Sequence, residues 1–243
     1  MKAPNSLADL RFAAELAPGK IDDLEVDGDF DRALFADLTI TEASAGGARF
    51  MECAFTGVTF DGGRMRRSRL SEVWFGQTRF VALDAAESTM TDVWLNGCVL
   101  AGMQAFGLLL RRVTFRGCKL DSVNFRESTL TDVTFEDCVL READFSGGKL
   151  TRVRFPGCQL AGLAFANVTC SDVDFRGATL GGEDAAGAPT PGIRSGYDSL
   201  RGARIDSLQL MSVAPLLAHH LGIRVDLQLP HRLAHASPSS RIV

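Results

Sequence analysis

Histidine is scarce in this chain and confined to one end: of 243 residues only four are His, all beyond position 218. A mixed cysteine–histidine zinc site therefore has little to draw on through the body of the chain. No run of about 18 apolar residues occurs, so no membrane-spanning helix is expected. The opening Met-Lys-Ala-Pro-Asn-Ser lacks the apolar core of a secretory leader, and a cytoplasmic location is expected. Neither a glycine-rich phosphate loop leading into a helix nor a nucleophile elbow is present. Charge of one sign does not dominate either. The net charge is −4, divided as −6 over residues 1–60, +4 over 61–120, −3 over 121–180 and +1 over 181–243. That pattern fits neither a uniformly basic nucleic-acid binder nor a uniformly acidic rod.

What the chain has instead is a period of five. Every fifth position from Phe30 to Leu180 is apolar and nearly always large, with Ala45, Ala85, Ala105 and Cys170 the modest members. Two residues before each stands a second uncharged, usually small residue, such as Ala33, Cys53, Val73, Cys118 or Val133. None of these 62 positions is charged, although 23% of the chain is. On an α-helix, five residues advance about 140°, which would spiral the large residues around every face. On a straight strand, residues five apart face opposite ways. The pair at i−2 and i does share a face, so the chain must turn after each pair to bring the next one inward. Gly97, Gly102, Gly107, Gly117, Gly147, Gly157 and Gly177 fall at i+2, where that turn belongs.

Residues that stack give the number of sides. Cys98, Cys118, Cys138 and Cys158 are twenty apart, as are Trp74 and Trp94. Asp92, Arg112, Asp132, Arg152 and Asp172 alternate in sign at the same spacing, which suits strands about 4.8 Å apart. Twenty residues per coil and five per side make a four-sided coil. Its parallel connections should be right-handed.

At this point the chain resembles the pentapeptide-repeat proteins over residues from about 25 to 205. The resemblance implies an all-β fold: a right-handed quadrilateral parallel β-helix of about eight four-sided coils, flanked here by a short N-terminal capping helix and a C-terminal helix. Some members of that family protect DNA gyrase or its relatives from inhibitors by presenting a DNA-sized acidic rod. Such a DNA mimic needs continuous negative columns, whereas the turn column here alternates in sign. Several members also dimerise through a C-terminal apolar segment.

The expected organisation is an arm or capping helix over residues 1–20, where Ser6-Leu7-Ala8-Asp9 reads as a capping box. The β-helix follows over 21–206, with an exposed loop inserted at 181–199 and the repeat resuming at Leu200. A helix over 207–221 should end at Gly222 and be kinked or split by Pro215. Residues 223–229 alternate as a strand, the span 207–229 serving as cap or dimerisation element, and the tail 230–243 is expected to be disordered. The aligned cysteines read as buried small hydrophobes, not a metal site. No cofactor and no catalytic residue is expected; His219 and His220 sit among leucines of the helix.

Two surfaces remain as candidates. Trp74 and Trp94 are outward-facing, one coil apart, with Arg69 on the preceding side and Arg79 on the following one, the composition of a contact hot spot. The alternative is that the N-terminal arm folds back over them. Leu210, Met211, Val213, Leu216, Leu217 and Leu221 offer the helix more than one apolar stripe and form the candidate homodimer interface. The expected function is a non-enzymatic rod that binds another, unidentified protein. A gyrase-protecting DNA mimic is the alternative, and direct nucleic-acid binding is not expected, because Arg64, Arg66, Arg67 and Arg69 face acidic neighbours.

Overall fold

The computed structural model describes residues 4–20, 24–184 and 186–225. Every pairing along the tube is parallel, and every partner in the regular part is twenty residues away. On one side Phe30, Phe50, Leu70, Met90, Leu110, Leu130, Leu150 and Cys170 stack in register. On the next, Phe35, Phe55, Phe75, Leu95, Phe115 and Phe135 do the same. A third column runs from Ile40 to Leu180. Single bridges from Arg64 through Asp84, Gln104, Asn124 and Asp144 to Ala164 mark the fourth. The fold is a four-sided parallel β-helix of about eight turns.

The core is the stacked set of fifth residues. Phe135, fully buried, lies between Phe115 and Phe155 with ring centroids 4.7 and 5.1 Å away and planes nearly parallel. The i−2 slot does more than fill space. Ser68, Thr78, Ser88 and Ser128 each donate a hydroxyl hydrogen bond to the carbonyl 23 residues earlier. The thiols of Cys53, Cys98, Cys118, Cys138 and Cys158 approach the corresponding carbonyl in the same way. Small residues able to donate are thus suited to this slot, where they give a corner carbonyl a side-chain partner. At i+2 the turn takes the left-handed backbone, not only in glycines but also in Asp92, Arg112, Asp132 and Arg152, at φ between 53° and 56°.

Several expectations need correcting. Residues 7–15 form two 3-10 turns, Leu7–Asp9 and Ala13–Glu15, in place of one capping helix. The Asp9 carboxylate does accept backbone hydrogen bonds from Asn5 and Ser6, as a cap should, at 2.9 Å each. The inserted loop contains a small antiparallel hairpin, Gly182–Glu183 with Pro189–Thr190. The tube resumes at Ile193, earlier than Leu200, since Ile193 pairs with Leu163 and Arg204 with Asp174. Those offsets are thirty, so ten residues, two sides' worth, have been inserted; a bulge at Ala164, which pairs with Ser195, shifts the register by one before Arg204 restores it. The C-terminal helix, Ser207–His220, runs through Pro215 unbroken. Gly222, at φ 70°, follows it as a left-handed stop. Residues 223–225 are not a strand; 226–229 and the tail from 230 lie outside the described residues.

The helix closes the open end through Gln209 and Val213, its two buried residues. Gln209 Nε2 donates to the carbonyls of Phe175 and Ala178, at 2.6 Å each. Because Val213 is committed to this cap, it drops out of the candidate dimer surface.

Candidate functional site

Outward positions on the tube are mostly Thr, Arg and Asp, with one departure. The column Leu34, Ala54, Trp74 and Trp94 places four apolar residues in succession on one side, in register at twenty-residue steps. Strand pairing brings the two tryptophans together as the sequence implies. It does not leave them equally open: Trp74 is 4% exposed, while Trp94 is half-buried. The idea that Trp74 is a free surface residue is therefore wrong for this arrangement. Its indole lies over Gly76, where an added methyl would come within 2.7 Å of the ring nitrogen. Arg69 and Arg79 remain exposed on the flanking sides.

The reason for the burial is the N-terminal arm. Ala17 and Pro18 pair beneath Ala33 and Leu34, extending this side by one short strand. From there residues 4–16 run back across the strands. Arg11 ties Glu52 and Glu72, at 3.1 and 2.6 Å, which precede Ala54 and Trp74 by two residues. Asn96 donates to the Asn5 carbonyl, and Arg116 to the carbonyl of Pro4 and the side-chain oxygen of Asn5. Phe12, Ala54 and Trp74 are all buried, yet none belongs to the core cluster inside the tube. They are buried outside it, between arm and side. A cavity of about 750 Å³ remains along this contact, lined among others by Leu10, Phe12, Trp94, Thr114 and Thr134, with Asp92, Arg112 and Asp132 along one edge.

The charged column at that edge is real, but its members pair. Arg112 makes a bidentate contact to Asp92, and Arg152 one to Asp132, each reaching one coil back. Arg204 closes on Asp172 at 3.0 Å. The Arg152 hydrogen bonds hold the Asp132 carboxyl below its usual range. Reversing Arg112 to Asp would put five carboxylates in succession, the new one standing between Glu52, Glu72 and Asp92 on one side and Asp132 on the other. Because the site faces water, the expected loss is at most about 1 kcal/mol and shrinks in salt. Denaturant melts at low and high ionic strength check this, and Asp92→Arg in the same chain should recover the loss.

Among the described residues no cluster of His, Cys, Asp and Glu could hold a metal ion. The inward hydroxyls and thiols are occupied by corner carbonyls, and burial pushes the Cys53 thiol up to about 11. His220 faces Asp198 at 3.1 Å on the outer surface. Among the described residues no helix is long and apolar enough to cross a membrane.

A model of the pentapeptide repeat region matches residues 88–165 and 109–185. The chain thus carries a pentapeptide repeat region, and the same five-residue register runs back from that stretch to Phe30 and is taken up again, after the insertion, by Ile205. No curated protein matches the sequence significantly. Among solved structures, the chain is similar to a trypsin-treated form of QnrB1, a plasmid-mediated fluoroquinolone resistance protein. The identity is 16%, covering 82% of this chain and 100% of that one, with a TM-score of 0.45. It is also similar to HetL, a pentapeptide repeat protein involved in heterocyst differentiation regulation from the cyanobacterium Nostoc. There the identity is 13%, the coverage 72% and 86%, and the TM-score 0.41. Likeness at that level carries no argument about what this chain does.

Proposed function

We propose that this protein is a non-enzymatic scaffold that binds another protein through the tryptophan-bearing side. The observation that supports it is the column Leu34, Ala54, Trp74 and Trp94: no other outward column of the array has four apolar residues in succession. Large aromatic side chains flanked by arginine are what protein contacts use. The DNA-mimic alternative receives less support, because the turn column that would have to be uniformly acidic is neutralised in Asp–Arg pairs. The scaffold also pairs with a second copy through its C-terminal helix, whose outward residues Leu208 and Met211 are 77% and 73% exposed.

A photo-cross-linking residue placed at Trp94, and separately at exposed Lys119 on another side, tests the partner site in the native host. A discrete adduct from position 94 and none from position 119 is the expected result. Equal labelling from the two positions would overturn the assignment of this side.

A further inference from the structure

The arm is a ligand that the chain carries for its own binding side. Resting on the scaffold reading above, we infer that this side recognises a protein segment carrying an arginine between two large apolar residues. The arm's Leu10-Arg11-Phe12 is then its tethered stand-in, which a partner must displace.

The arm's own contacts define that chemistry. Phe12 is 2% exposed and lies against the outside of the tube, where Ala54 and Trp74 are buried with it. Between them Arg11 bridges two carboxylates on successive coils, Glu52 and Glu72. Those acids stand one coil apart, and a single terminal nitrogen of Arg11, Nη2, reaches both. The Glu52 carboxyl is held below its usual range by hydrogen bonding to Arg32, with Arg11 adding to it. The site is thus an apolar strip edged by ionised acids, complementary to a basic residue set among apolar ones.

The way the arm is held makes it displaceable. Its backbone hydrogen bonds, Asp9 to Ser6, Leu10 to Leu7, Ala13 to Leu10 and Glu15 to Phe12, all stay within the arm. Backbone-to-backbone hydrogen bonds with the tube begin only at Ala17, which donates to the Arg32 carbonyl. Across the tryptophans every hydrogen bond to the tube involves a side chain, that of Arg11 or those of Asn96 and Arg116, and Arg11 is 70% exposed while making its ion pairs. Contacts of that kind open without unfolding the coils beneath. The arm also fits the side incompletely. The cavity of about 750 Å³ between Leu10, Phe12 and Trp94 is room that a bulkier segment would fill and this one does not. A partner gains that contact, and the arm's tethering sets what it must beat: a local concentration of order millimolar.

The chain's two tryptophans both lie on this side, so intrinsic fluorescence reads it directly. The full chain is compared with Arg11→Ala and with Phe12→Ser by emission maximum and acrylamide quenching. Both variants should shift emission to the red and raise quenching, because Trp74 loses its cover. A synthetic peptide of residues 4–16 is then titrated into each. It should restore the blue-shifted emission of the variants and bind the intact chain at least about tenfold more weakly, the tether excluding it. The same peptide with Glu in place of its arginine should restore nothing. Unchanged quenching in Arg11→Ala and Phe12→Ser would overturn the inference, as would equal restoration by both peptides. If Phe12→Ser loses its strand signal in circular dichroism, the exposed Arg11→Ala decides alone. No host partner enters this assay, so its failure leaves the scaffold reading standing, and a failed cross-link leaves this one standing.

Discussion

Phe135→Ala should cost about 3–5 kcal/mol, the upper part of the range for emptying a core position. The ring is fully buried, stacked on Phe115 and Phe155, and meets Phe145 edge-on with centroids 6.4 Å apart. Removing it opens a void that borders three coils at once. In a solenoid, where each coil contacts only its neighbours, the loss is felt at both interfaces. Thr134, its neighbour in sequence, points outward and is only half-buried. Thr134→Ala should therefore cost far less in the same denaturant melts. Comparable losses for the two substitutions would mean that the inward assignment of the fifth residue is wrong.

In light scattering at micromolar concentration the intact chain should have twice its monomer mass of 26.2 kDa, and the double change Leu208→Glu with Met211→Glu should halve it. Gln209 and Val213 turn the other face of the helix toward the last coil. Leu208 and Met211 stand one turn apart on the free face, with Leu221 and Val225 exposed beyond them. Pairing two such faces about a two-fold axis removes them from water without limitless association. The helix N-terminus stays capped in the variant, because Asp206 and Gln209 hold each other's backbone N–H groups, so loss of the dimer would not follow from loss of the helix. A monomeric mass for the intact chain would leave the helix as a simple cap.

The sequence alone determined the tube. A period of five can be satisfied only by a strand and a turn repeated, and the twenty-residue recurrence of Cys98 through Cys158 and of Trp74 with Trp94 leaves four sides. Register, core and the outward columns follow from that periodicity without any long-range knowledge, since each coil is built against the one before it. The pairing of Asp92 with Arg112 was legible for the same reason. The Cys98 to Cys158 column read correctly as core, but its thiols' approach to corner carbonyls 23 residues back was not visible, since that depends on where the corner bends.

Where the chain leaves the repeat, only the tertiary structure decided. Nothing in Leu10-Arg11-Phe12 says which side the arm chooses. That depends on the strand at Ala17 and on Glu52 and Glu72 standing together, which are brought near by coiling and not by sequence. Nothing in the sequence marks Gln209, yet its amide closes two carbonyls at the tube's open end, a role created by the end itself. Pro215 was expected to kink or split the helix. It does not split it, because a proline removes one backbone hydrogen bond, while packing of Val213 and the half-buried Leu216 and Leu217 holds the turns on either side. A periodic array is local physics repeated, and so a sequence can specify it openly; its arm and cap are single long-range contacts that exist only once the array has formed.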